Sequence, residues 1–479
     1  MKHFIPDALD LNELLRRHPP SQIKQFKKDS LIYIIHLITS IQATNKDLDI
    51  INGFVPIYSP VLQKKVKNYR DYLDYLIRYG VILTDNWYIK GVKSKGYKFT
   101  PYYSGKIKMI QVADRKLIKA IKAESRYSVS MQKKYKHLYK WYNDNLRIDY
   151  EMAMDFIGDD LARKLANPDL RDFDSKTKQY KDPVVQYNCS HLNIERIAFG
   201  EFFLSVDDNV FRLHSTISNL RSELRNCISY GGRKLVSIDI KNSQPYLSTA
   251  LLSDRFWIES YSSNISNGIG VHNISKSLST IIFQGNNTKE SYIMLSKSAQ
   301  TQADSDLERY KLLVLQGVFY EYLAESIGAE LGIGYNDRKK VKAAVFQVLF
   351  TDNRFLGQEE AKPKQLFKKH FPTVYELFSR IKRSDKTNLP RLLQRLESHL
   401  MLLIVSKRIA RERPGLPIFT IHDSIVTTEG DEEYVKAVLL EEMAKAIGFP
   451  PKLSVEVWQP SNLAFKDGTM FYGEERLAM

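Results

Sequence analysis

Cysteine is nearly absent: the 479 residues include only Cys189 and Cys227. That excludes a disulfide framework and any cysteine-rich zinc site. Also missing is an uninterrupted apolar run of about eighteen residues, the length a helix needs to cross a bilayer. Residues 1–20 carry no apolar signal-peptide core. The sequence therefore predicts a soluble, cytoplasmic protein with no membrane partner. Acidic charge is in short supply relative to basic: 71 Lys and Arg stand against 55 Asp and Glu, a formal +16. The excess is lopsided. Residues 1–150 hold 28 basic and 13 acidic residues, a net +15, while the rest hold 43 and 42. Positive charge concentrated in this way points to a nucleic-acid contact surface in the N-terminal part, because phosphates attract Lys and Arg whatever the base sequence. A basic domain that is merely soluble has the same composition.

What the N-terminal part does contain is an ordered pattern. Apolar periodicity predicts helices over Leu31 to Ile41, Pro60 to Val66 and Tyr69 to Tyr79, the last stopped by Gly80. Two β-rich runs follow, Val81-Ile82-Leu83 with Trp87-Tyr88-Ile89 and then Tyr97-Lys98-Phe99, around a basic turn carrying Lys90, Lys93 and Lys95. Three helices and a hairpin predict a winged-helix-like domain over residues 1–110. Its second and third helices resemble DNA readers of the helix-turn-helix type, with Lys90, Lys93 and Lys95 set to meet backbone phosphates. The same outline serves winged helices that bind proteins. Residues 111–195 read as a helical connector or thumb-like region. Its pattern from Arg115 to about Ala166 is helical, with aromatics at Tyr135, Tyr139, Trp141 and Tyr142, and the polar stretch 170–188 reads as a linker.

Three segments further on carry the chemistry. Ile418 to Ile421 and Ile425 to Thr428 are short β-branched arms with His422, Asp423 and Ser424 between them, which predicts a hairpin with an acid at its tip. On its own, an aspartate in a turn usually bonds nearby backbone amides. A second acid, Asp239, ends the apolar run Leu235-Val236-Ser237-Ile238, and the run from Leu247 to Leu252 starts a helix soon after. Two acids at neighbouring strand ends can share divalent ions. So few protein oxygens suit Mg²⁺, which keeps waters and takes other ligands from substrate phosphates. Between the acids, Arg338, Lys342, Phe346 and Phe350 recur every four residues. On a helix they share one face, two cations followed by two rings, matching a nucleoside triphosphate. Taken alone, the segment equally reads as an amphipathic helix with a solvated basic edge and a core-facing Phe stripe.

In this order the segments resemble motifs A, B and C of the A-family DNA polymerases and their relatives, the single-subunit phage-type RNA polymerases, over residues 196–479. Asp239 matches the motif A metal aspartate, the Arg338 series matches the motif B helix, and His422-Asp423 matches motif C. The resemblance assigns both metals to Asp239 and Asp423, a catalytic role to Lys342 as well, and substrate contacts to Arg338, Lys342, Phe346, Phe350, Gln244 and Tyr246. Phe211-Arg212-Leu213-His214-Ser215 is similar to a segment whose arginine touches the primer-template, so Arg212 and, with it, His422 are expected at nucleic acid; for His422 the plainer option is bracing the hairpin tip. There are departures. Phe350-Thr351 stands where the family has Tyr-Gly, Gln244 where the DNA branch keeps Glu, and Ser424 where the DNA branch usually has Glu and the RNA branch Ser. The first two put sugar selectivity in doubt. Residues 262–306 read as an insertion in the fingers. Leu389 to Ala410 is expected as a helix feeding motif C, with Glu397 a spare carboxylate, near the site at most and by residue type more often exposed.

The resemblance implies an α+β fold, a right-hand polymerase with an antiparallel palm sheet and helical fingers and thumb, preceded by the winged-helix-like domain. It implies template-directed nucleotidyl transfer with two Mg²⁺ ions, or Mn²⁺, acting on a DNA primer-template and nucleoside triphosphates alongside other replication proteins. The acids of a proofreading domain are not expected ahead of the palm. Replication of a phage, plasmid or other mobile element is the expected setting. A single-subunit RNA polymerase or primase, and a replication initiator that keeps a polymerase-like palm without catalysis, are the other two readings.

Overall fold

The computed structural model describes residues 1–45, 48, 50–174, 176–258, 292–293, 305–331, 338–354 and 356–471. The expected insertion 262–306 lies almost wholly outside the described residues. The protein is a mixture of helices and antiparallel sheets. Among the described residues, no helix is long and apolar enough to cross a membrane.

The N-terminal unit is closed by its own ends. Strand β1 (Lys2–Pro6) pairs antiparallel with β5 (Ile107–Gln111). Between them lie a small sheet in which β4 (Gly96–Phe99) is flanked by β2 (Val55–Pro56) and β3 (Ile82–Thr84), and the helices Lys28–Thr44, Ser59–Lys65 and Tyr69–Arg78. These helices begin and end within three residues of where the periodicity puts them. Tyr69, Tyr72, Leu73 and Leu76 recur at the spacing of one helix face, and all are buried. The helix stops at Gly80, whose φ of +69° suits glycine. The order is helix, strand, helix, helix, hairpin.

Residues 111–195 depart from the expected run of helix. After the helices Arg115–Lys122, Arg126–Lys134 and Lys136–Tyr139 the chain forms β6 (Leu146–Ile148), and only then the helix Tyr150–Ala166. Leu146 and Ile148 are buried with Arg147 exposed between them, the alternation of a strand, and β6 joins the central sheet beside β11 (Ile228–Tyr230). The stretch 170–188 is not a linker. It holds the two-residue strands β7 (Phe173–Asp174) and β8 (Gln179–Tyr180) and the start of the helix Pro183–Ala198. Its polarity comes from pairing: Asp172 accepts from Lys164 Nζ at 2.8 Å, Gln186 Nε2 at 2.8 Å and Lys466 Nζ at 2.6 Å.

After the short ribbon β9 (Leu204–Val206) and β10 (Leu213–Ser215), the central sheet is organised around β12 (Arg233–Ile240). Leu235, Val236, Ile238 and Ile240 are all buried, as expected of a strand covered on both faces. One edge of β12 pairs with β14 (Ser424–Thr428) and the other with β15 (Leu453–Trp458), while β13 (Ile418–Ile421) lies outside β14. Helices Asp306–Gln316, Phe319–Ile327, Lys362–His370 and Pro372–Ile381 interlock through Tyr310, Phe319, Phe367, Phe371 and Phe378, with ring centroids 5.0–6.5 Å apart. The expected helix Leu389 to Ala410 runs as Asn388–His399, a π-helical segment Leu400–Val405, and Ser406–Glu412.

Candidate active site

Sheet register brings the two acids together. Asp239 on β12 is the direct cross-strand partner of Ser424 on β14, and the Ser424 hydroxyl donates to Asp239 Oδ1 at 2.5 Å. Asp423 precedes Ser424 in the two-residue turn His422–Asp423 that links β13 to β14. Its carbonyl accepts from the Ile240 amide at 3.4 Å, so turn and strand are stitched at the site. The Asp423 carboxyl is close enough for its charge to act on Asp239. Burial and then the charge of Asp423 push Asp239 up to about 6, against the opposing pull of the Ser424 hydroxyl and the Lys342 charge.

Backbone geometry marks the same place. Phe211, Asn242 and His422 are three of the seven non-glycine residues with positive φ among those described, at +60°, +56° and +54°. They stand next to Arg212, just after Asp239 and just before Asp423. A left-handed phenylalanine is uncommon and costs free energy, so the fold holds Arg212 in place at some expense.

The Glu397 expectation is wrong. This residue is 2% exposed, one turn from Leu393 and close to Leu400 on the buried stripe of its helix. Glu397 Oε1 accepts from Arg212 Nε at 2.9 Å and Nη2 at 2.7 Å, and Oε2 accepts from Gln244 Nε2 at 2.8 Å. Burial, with a contribution from the charge of Asp423, raises Glu397 to about 7 in spite of Arg212 and Gln244. Glu397 is thus the site residue that sequence reasoning undervalued. The available signal was its position on the apolar stripe formed by Leu389, Leu393, Leu396 and Leu400.

The same network changes two other expectations. Arg212 and Gln244 are held by Glu397 instead of reaching freely toward nucleic acid and substrate, although Gln244 Oε1 is buried with no protein partner. Tyr246, expected at the substrate, is buried, and its hydroxyl donates to the Phe449 carbonyl at 2.7 Å.

The helix Arg338–Phe350 turns Val341, Val345, Val348 and Leu349 into the core and leaves Lys342 exposed, with Phe346 and Phe350 half-exposed. Lys342 Nζ lies 5.4 Å from the Phe346 ring centroid, and the Phe346 and Phe350 rings meet edge-on at 5.2 Å. Lys342 is also near enough to Asp239 to favour its charged form. Arg338 heads the helix, and its side chain lies outside the described residues. His422 is exposed, its ring 6.5 Å from that of His214 on β10.

Lys90, Lys93 and Lys95 belong to the β3–β4 hairpin of the N-terminal unit, whose core is separate from the one around β12. Lys90 is exposed. Lys93 is not a free phosphate contact: its ammonium pairs with Asp85 at 3.1 Å and sits 3.5 Å from the Trp87 ring centroid. Lys95 donates to Asn86 Oδ1 at 3.1 Å.

No family model matches the chain, and no curated protein matches it. Among solved structures it is similar to the POL domain of Pol1 from M. smegmatis, in complex with DNA primer-template and dNTP, at 13% identity and a TM-score of 0.38, over 72% of each chain. At that level of likeness, the functional reading rests on the geometry of the site.

Proposed function

We propose that the protein is a template-directed nucleotidyltransferase, a compact DNA polymerase that adds deoxynucleotides to a 3′-hydroxyl, serving a phage, plasmid or mobile element. The observation that carries this reading is the register pairing of β12 and β14, which sets two repelling carboxylates side by side within reach of the Lys342 charge. The donor set fits hard divalent ions: Asp239 and Asp423 offer carboxylate oxygens, and their mutual repulsion is what a cation relieves. Both residues would hold Mg²⁺, or Mn²⁺, which when bound stabilises the attacking and leaving oxygens of an in-line displacement.

The chain's own groups account for the rest. Lys342 meets the triphosphate with a fixed positive charge and hands a proton to the departing pyrophosphate. Arg338, at the head of the same helix, is assigned to the triphosphate too. The edge-on pair Phe346 and Phe350 packs against the incoming base. Glu397 grips the Arg212 guanidinium and orients Gln244, within reach of the Asp423 charge. The helix, strand, helix, helix, hairpin order of residues 28–99 supports a winged-helix reading, and the net +15 of residues 1–150 supports nucleic acid as its partner.

Ser424 favours a second reading, a single-subunit RNA polymerase or primase, because it takes the RNA-branch identity and bonds Asp239 directly. Extension of a labelled primer with Mg²⁺, comparing dNTPs with rNTPs for wild type and Asp423→Ala, tests both. Extension by the variant at the wild-type rate overturns the site, and ribonucleotide incorporation without primer selects the second reading.

A further inference from the structure

The β3–β4 hairpin has a tip unlike the lysine-bearing wing its sequence predicts. Between Asp85 and Lys95 four large apolar side chains stand in solvent: Trp87 is 52% exposed, Tyr88 56%, Ile89 42% and Val92 81%. One lysine has been withdrawn to hold this display. Lys93 is pinned between Asp85 Oδ2 and the face of Trp87. Asp85 Oδ1 accepts from the amides of Trp87 at 3.1 Å and Gly96 at 2.8 Å. Ile89 and Lys93 exchange both backbone hydrogen bonds, at 3.0 and 2.9 Å, around a turn in which Gly91 has a φ of +77°. At Gly96 a side chain would meet Phe54 Cβ at 2.7 Å and Asp85 Oδ2 at 2.8 Å, so the approach of Asp85 needs glycine there. The tip is preorganised: the Lys93 ammonium sits against the Trp87 ring, whose remaining surface is exposed together with Tyr88, Ile89 and Val92.

A rigid apolar tip in water needs a partner with an apolar interior. Charge selects which one. Residues 1–150 carry +15, and Lys90 and Lys95 flank the rings. Stacked base pairs behind two rows of phosphates match an apolar point surrounded by cations. We infer that the tip is a wedge that enters a base step at the end of a duplex and unstacks it, Trp87 and Tyr88 replacing the lost base-on-base contact, with Lys90 and Lys95 meeting the flanking phosphates. This rests on the nucleic-acid reading of the N-terminal unit proposed above. It assigns that unit the task of opening duplex for the proposed template-reading site.

The test uses the full-length chain and a tailed duplex with one 2-aminopurine at the base step next to the junction. Wild-type binding raises 2-aminopurine emission severalfold. The Trp87→Ala/Tyr88→Ala pair returns emission to that of free duplex and weakens junction binding by about tenfold, the scale of one lost base–aromatic stack. Trp87→Phe/Tyr88→Phe retains most of the emission change, which separates stacking from a loss of folding. Lys90→Ala/Lys95→Ala lowers the salt dependence of binding and leaves emission of the saturated complex high. DNA binding without an emission change, or undiminished emission with the alanine pair, overturns the wedge and leaves the tip to an apolar protein partner. Absence of DNA binding altogether overturns the nucleic-acid reading as well.

Discussion

The β3–β4 and β13–β14 hairpins each carry an aspartate in the turn, and they use it in opposite ways. In the β3–β4 hairpin, burial alone would raise Asp85, but the amides of Gly96 and Trp87 and the ammonium of Lys93 outweigh it and hold the acid below the ordinary carboxylate range. In the β13–β14 hairpin, Asp423 faces another acid, and Asp239 is pushed up to about 6. Asp85 is the ordinary turn aspartate that stabilises its own loop. The Asp239 and Asp423 pair is an arrangement the fold tolerates at a cost, and that cost distinguishes a site from a structural turn.

The largest expected effect breaks the comparison at its functional end. Asp239→Asn or Asp423→Ala lowers primer extension on the order of a thousandfold, read by single-turnover kinetics, while metal-free thermal stability holds or rises because the repulsion is gone. Next, Glu397→Gln strips Arg212 of its counter-charge. Because burial already disfavours the charged carboxylate, urea unfolding above pH 7 shows no loss of stability, while the KM for nucleotide rises as Arg212 loses its clamp. Asp85→Ala leaves two amides and Lys93 without their acceptor and costs about 1–2 kcal/mol, with no change in the chemical step.

The two turns also predict opposite pH slopes. Asp239, raised to about 6, and Glu397, raised to about 7, hold more protons folded than unfolded between their ordinary values near 4 and those figures. Their contribution is therefore full below about pH 4 and is lost as pH rises through 6 and 7. Asp85 has the opposite sign. Its contribution is present above its unfolded value near 4 and is lost as pH falls through its lower folded value. Metal-free unfolding curves for wild type, Asp239→Asn and Asp85→Ala between pH 3 and 8, the range that spans these values, separate the two. Mg²⁺ at pH 7.5, above all of them, restores stability to wild type and not to Asp239→Asn. The smallest effect is at Lys95→Ala, which removes one exposed bond to Asn86 and shifts stability by less than about 0.5 kcal/mol.

Local signals were legible where a single segment carries them. The helix positions of the N-terminal unit, the strand ending at Asp239 and the hairpin at Asp423 follow from periodicity and β-branched runs. What escaped depends on pairing across the chain. Leu146-Arg147-Ile148 is too short to be read as a strand until Ile228–Tyr230 lies beside it. Asp172 looks like linker polarity until Lys466, 294 residues on, reaches it. Glu397 looks exposed by residue type, because carboxylates are rarely buried without a partner, and its partners come from Arg212 and Gln244. Lys93 reads as a free cation because its bond to Asp85 forms only when the hairpin closes.

The pairing of β12 has a consequence for how the chain is made. Both of its edges are filled by strands that begin at residues 424 and 453, and Ser424 and Asp239 are 185 residues apart. During synthesis from the N-terminus, β12 emerges long before β14 and β15; β11 pairs only with its start at Arg233 and Lys234, and both edges of its apolar part stay open to any other strand. Closing loops this long is slow, so the carboxylates meet only late in folding. An incomplete chain then lacks the paired carboxylates, and its unpaired β12 is the segment a chaperone has most reason to hold.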